Sequence, residues 1–94
     1  MPKAHEENGF IFRFYSDDHL PMHIHAQKAG EECVFLLGRI VEISNEAGET
    51  VQIVMEAPSI RENKGMNRAD VRRALAIVEA QQAKLITRWQ QHLG

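Results

Sequence analysis

Apolar and polar positions alternate from Phe10 to Tyr15, where Phe10, Phe12 and Phe14 interleave with Ile11, Arg13 and Tyr15. A period of two predicts a strand with one apolar face. The same period returns further on, with Met22, Ile24 and Ala26 on one side and His23, His25 and Gln27 on the other. Between them lies Ser16-Asp17-Asp18-His19-Leu20-Pro21. It is a turn sequence, because Ser and Asp side chains bond nearby amides and Pro21 biases Leu20 towards extended backbone. Antiparallel pairing with the phenylalanines facing the core would gather Arg13, Tyr15, His23 and His25 on the opposite face.

Beyond the Ala29-Gly30-Glu31 turn, residues 32–37 form a nearly continuous apolar run, which predicts a strand buried on both faces. Gly38 marks a bulge or bend. Arg39 to Ser44 and Thr50 to Met55 predict a hairpin closed by Asn45-Glu46-Ala47-Gly48-Glu49. Residues 57–66 carry Pro58, Ser59, Asn63 and Gly65 and are expected to be a loop and a candidate mobile segment. Residues 1–8 are polar and patternless and are expected to be a flexible leader, with His5 a bystander.

The period then lengthens. Asn67 is a good N-cap, Asp70 complements the helix dipole, and Met66 and Val71 stand at the positions of a hydrophobic staple. No Gly or Pro occurs from Arg68 until Gly94. One helix over 67–93 is expected, of ~26 residues and about 39 Å. Val71, Leu75, Val78, Leu85, Ile86 and Trp89 form its core stripe, with Gln82 in the gap. Ile77 points away from the stripe, towards a partner or a second layer. Trp89 is a core residue or, on a second reading, an interface anchor. A helix of this length outruns a small sheet, so its last turns are expected to overhang and support a homodimer through the C-terminal helix. The predicted fold is α+β: an antiparallel sheet of four to five strands with one long C-terminal helix packed across one face. It forms a single domain over 9–94, with the sheet in 9–56, the loop in 57–66 and the helix in 67–93.

Composition narrows the function. At 94 residues, 44% hydrophobic and a net charge of −2, the chain is an ordinary globular domain and not a generally basic nucleic-acid binder. Its charge is uneven: residues 1–50 are acidic, and a basic cluster of Arg61, Lys64, Arg68, Arg72 and Arg73 follows. That cluster would meet phosphate, RNA or an acidic partner, or else be a solvated helix start. Cys33 is the only cysteine and sits in the apolar run, as a small buried hydrophobe and not a nucleophile. No stretch approaches a membrane span or a signal peptide, so a cytoplasmic protein is expected.

The chemistry concentrates in Phe10 to Ala26, which holds three of the five histidines. Residues i and i+2 of a strand point the same way about 6.5–7 Å apart, so His23 and His25 can converge on one metal ion such as zinc. Asp17, Asp18 or His19 would supply a third ligand and leave a position for water. A second reading needs no metal: His23 and His25 act as general base and acid in phosphodiester cleavage, with Arg13 stabilising the developing charge and Tyr15 beside them. A third makes the histidines structural, bonding Asp18 and the turn backbone. A fourth is a non-catalytic protein-binding module.

The run Asp18-His19-Leu20-Pro21-Met22-His23-Ile24-His25-Ala26 follows an aromatic strand, and Gly65-Met66-Asn67 leads to a helix with Trp89 and His92 near its end. In that order these features resemble the family called domain of unknown function 4160. The resemblance covers residues 10–37 and 63–92 and is weaker over 38–62. It implies the sheet-and-helix fold and a site at the histidine strand. It also implies the toxin-like component of a bacterial toxin–antitoxin pair, acting on RNA or translation, with a small partner protein encoded next to it.

Overall fold

The computed structural model describes residues 3–93. Seven strands precede two helices: β1 (Lys3–Glu7), β2 (Phe10–Arg13), β3 (His23–Lys28), β4 (Glu31–Leu36), β5 (Arg39–Ser44), β6 (Thr50–Glu56), β7 (Ser59–Lys64), α1 (Arg68–Ala80) and α2 (Gln82–Leu93). Five strands make one antiparallel sheet in the order β1-β2-β3-β4-β7, while β5 and β6 form a separate two-stranded ribbon. The fold is α+β, as the pattern predicts, with the helices on the phenylalanine face.

Register explains the two faces. Phe12 pairs with Ala26, Ala26 with Cys33 and Ile24 with Phe35, so Phe12, Ala26, Cys33, Ile24 and Phe35 all project to one side. All are fully buried, and Val78, Ala74 and Leu85 of the helices close over them. Arg13 pairs with His25, His25 with Val34 and Gln27 with Glu32, which sets a largely polar row on the other face. The run Cys33-Val34-Phe35 is buried on both sides, as its composition demands.

The structure also corrects several expectations. Lys3–Glu7 is not a leader but edge strand β1, paired with β2 across Asn8 and Gly9 at φ 53° and 83°. Two successive positive φ angles make the primed turn that matches strand twist, and Asn-Gly supplies them at least cost. His5 in this strand bonds Glu7 at 2.8 Å and accepts from Lys84 at 2.9 Å. Met1, Pro2 and Gly94 lie outside the described residues. Residues 59–64 are not loop but strand β7, paired with β4 along its outer edge. Every β7 residue is exposed, so no apolar alternation marks it, and its charges suit an edge strand that must not pair further.

The predicted hairpin forms but leaves the main sheet at Gly38, whose φ is +73°. A Cβ there would overlap the Glu56 carbonyl oxygen, so the chain can turn out only with glycine. The helical segment divides at Gln81, which has φ −106° and ψ 15°. The cause is a buried polar anchor. Gln82, only 4% exposed, donates to the Leu37 carbonyl at 2.9 Å and to the Glu56 carbonyl at 2.8 Å, tying the helices to the ends of β4 and β6. The break brings both helices onto the sheet. Ile77 is therefore core and not a partner contact, while Trp89 is the core residue expected, packed edge-on to Phe14. The α1 start is as predicted: Asn67 accepts from the Asp70 amide at 2.8 Å, and Met66 and Val71 are both buried. Among the described residues, no helix is long and apolar enough to cross a membrane.

Candidate functional site

The turn after β2 folds back over the polar face. The Tyr15 amide donates to Asp18 Oδ2 at 2.8 Å and the Asp18 amide to the Tyr15 carbonyl at 3.1 Å, which points the aspartate inward. Its other oxygen, Oδ1, lies 3.1 Å from His23 Nε2 and 3.2 Å from His25 Nε2. One ligating atom from each of Asp18, His23 and His25 falls within 4.8 Å of the others. Both histidines are buried, at 5% and 8% exposure, and their rings meet edge to face at 5.3 Å.

The far nitrogens are held too. His23 Nδ1 is 2.8 Å from the carbonyl of Pro21, the residue that follows the cis Leu20–Pro21 peptide. A carbonyl only accepts, so Nδ1 carries the proton, and a neutral ring then turns the Nε2 lone pair on the Asp18 carboxylate. His25 faces a carboxylate at each nitrogen: Asp18 at Nε2, and Glu32 Oε2 at 3.3 Å from Nδ1. A neutral imidazole has one N–H and can serve only one of them. Burial pushes the Asp18 carboxyl up, but the Tyr15 amide, the His25 bond and both imidazoles outweigh it and hold its pKa below the ordinary value. Burial likewise opposes Glu32, where bonds from Gln27, His25 and Tyr15 prevail and lower it. Two ionised carboxylates thus converge on two imidazoles, with Lys64 Nζ a further 3.6 Å from Glu32 Oε2. A proton or a metal cation at the Nε2 atoms would satisfy the shared Asp18 oxygen.

Outside this cluster the expected residues divide. His19 is exposed and bonds the Asp17 carbonyl at 2.8 Å, outside the group of three. It does line the same open cavity of about 280 Å³ as Asp18, His23, His25, Arg61 and Lys64. Asp17 and Glu62 line it too. Arg68 and Arg72 are exposed on α1, and Arg73 pairs with Asp70 at 3.0 Å; none of the three lines the cavity. Tyr15 and Arg13 support the site from beside it. Tyr15 packs on His25 with ring centroids 4.1 Å apart and donates to Glu32 Oε1 at 3.0 Å. Its phenol is pushed up, first by burial and then by Glu32, so it stays a donor. Gln27 donates to both Tyr15 and Glu32, and Arg13 Nε donates to Gln27 at 3.1 Å.

Glu32, Trp89 and His92 were not expected here. Glu32 faces the site because Gln27 pairs with it, so the strand register could have found it. Trp89 lies 5.2 Å from the His23 ring, and His92 donates to the Tyr15 carbonyl at 3.0 Å, so α2 backs the turn. Only the packed helix reveals those contacts.

Fold and site together define a small α+β domain whose His-x-His strand is closed by an aspartate from the preceding turn. A family model described as "Domain of unknown function (DUF4160)" matches residues 9–90, and the chain belongs to that family. The match runs through residues 38–62, where the resemblance was weaker. No curated protein and no solved structure matches the chain.

Proposed function

We propose that Asp18, His23 and His25 bind a divalent transition metal, zinc being the ion best suited to two imidazoles and a carboxylate. One observation carries this reading: two Nε2 atoms share a single carboxylate oxygen at 3.1 and 3.2 Å, while His23 Nδ1 is committed to a carbonyl and His25 Nδ1 faces Glu32. Ligand atoms bound at ~2.0–2.2 Å around one ion stand roughly 3.0–3.5 Å apart, which both Nε2–Oδ1 separations match. A second carboxylate or carbonyl on the far nitrogen is how metal-binding imidazoles are oriented. Three protein ligands leave a position for water, whose acidity the ion raises; that is hydrolytic chemistry. Elemental analysis of untagged protein and zinc titration are the test. About one zinc per chain is expected in the wild type and none in the His23→Ala/His25→Ala variant. No uptake by folded wild type would discard the reading.

A second reading rests on Arg61 and Lys64, which bring two cations to the cavity that the imidazoles open onto. His23 and His25 would then cleave an RNA phosphodiester as general base and acid without metal, in a toxin-like component paired with a small partner protein. Arrest of growth on expression, lost in His23→Ala and His25→Ala variants that keep the fold, would support it. Equal toxicity of wild type and folded variants would end it.

A further inference from the structure

The ribbon β5–β6 is amphipathic the wrong way round for a lone chain. Val41 pairs with Ile53 and Ile43 with Val51, so these four side chains form a two-rung apolar ladder on one face, and Met55 sits at the bulge beside them. Ile43 is 52% exposed, Val51 56%, Ile53 40% and Met55 51%. The other face is polar beyond the Ile40–Val54 rung at its base: Glu42 accepts from Gln52 at 3.2 Å, and Ser44 and Thr50 bond at 3.3 Å. That polar face lies across a groove from α2, where Ile40 and Gln52 stand opposite Ile86 and Thr87. The ribbon thus turns its hydrogen-bonding side to its own helix and its hydrophobic side to solvent. Among the described residues seven large hydrophobics are exposed, and five lie on these two strands, four of them on the ladder side and Val54 on the other. A two-stranded ribbon is marginal in water without a covered face.

We propose that this ladder packs face to face on the same ladder of a second copy of the chain, making a two-fold dimer through the arm. Size and charge favour a copy of itself. The half-exposed ladder with Met55 amounts to roughly 400 Å² of apolar surface, the size of patch that marks an interaction site. Two such faces with their rims approach the ~1,000 Å² that a specific interface needs. Stacked sheets set their strands about 30° apart, which lets two twisted ribbons interdigitate. The charges select the antiparallel stack. The tip carries Glu46 and Glu49, and the base carries Arg39, itself 3.8 Å from Glu56. Tip against base brings Glu46 and Glu49 of one copy towards Arg39 of the other; tip against tip would crowd four carboxylates.

Sedimentation velocity and light scattering over a concentration series test the arm directly. The wild type is expected to be a dimer. Ile43→Glu/Val51→Glu should be a monomer with an unchanged far-UV circular dichroism spectrum. Should that variant fail to fold, Ile43→Thr/Val51→Thr keeps strand-forming side chains and should still weaken the dimer at least tenfold. Glu46→Lys/Glu49→Lys should weaken it as well. A wild type that is monomeric at every concentration, alone or held by a different protein, overturns the proposal. So does a dimer that persists in folded ladder variants.

Discussion

Glu32 shows how one residue can decide the state of another. Its Oε2 faces His25 Nδ1, while Oε1 accepts from Tyr15 and Gln27. As a carboxylate it takes the imidazole proton at Nδ1 and leaves Nε2 free to ligate. Glu32→Gln would keep the acceptor for Tyr15 but set an amide N–H against Nδ1, moving the ring proton to Nε2. Zinc affinity should then fall about 10–100-fold with the fold intact, measured by competition with a chromogenic chelator. Gly38 decides the path of the backbone. Its φ of +73° and the Glu56 carbonyl at its α-carbon leave no room for a side chain. Gly38→Ala should cost at least about 3 kcal/mol in urea unfolding or abolish soluble expression, because strain and overlap act together.

Elements were legible in proportion to how far their own residues bury them. The alternation of Phe10, Phe12 and Phe14 and the run Cys33-Val34-Phe35 announce β2 and β4 because one or both of their faces are core. β1 and β7 are edges. With only Ala4 buried in β1 and nothing buried in β7, period-two reading had no signal, although Asn8-Gly9 was a hairpin mark in its own right. The break at Gln81 was invisible because neither Gly nor Pro makes it; distant carbonyls at Leu37 and Glu56 do. Gln82→Ala strands both carbonyls and should cost about 2–3 kcal/mol in the same unfolding assay. The Asp70 carboxyl is raised by its surroundings' desolvation, but bonds from Lys28, Arg73 and Asn67 prevail and lower its pKa from the ordinary 3.8. Its contribution is therefore complete above that value and disappears as pH falls below it towards the folded pKa. Asp70→Asn should be less stable than wild type at neutral pH, and the gap should close on acidification below about pH 4, followed by thermal melts across pH.

At the scale of the molecule, the site joins parts that are far apart in sequence. The turn supplies Asp18, β3 the two imidazoles, β4 Glu32, and α2 the Trp89 wall and the His92 clasp on Tyr15. The histidine pair was readable from strand alternation. Asp18 was one of three candidates in the turn, and only the way the turn folds back selects it over Asp17 and His19; Glu32 was not read at all, because it depends on how β3 registers with β4. Such a site exists only when the whole chain is folded, so an ion bound there stabilises the native state and not the unfolded one. At a free zinc concentration one hundred times the dissociation constant the gain is about 2.7 kcal/mol. For a domain of this size that is a rise in melting temperature on the order of 10 °C or more. Calorimetry with a buffered zinc series should show the midpoint climbing with the logarithm of free zinc in the wild type. In Asp18→Ala, which removes the shared oxygen while leaving both imidazoles, the climb should shrink or vanish. A zinc-dependent rise that is identical in the two proteins would place the ion somewhere other than this cluster.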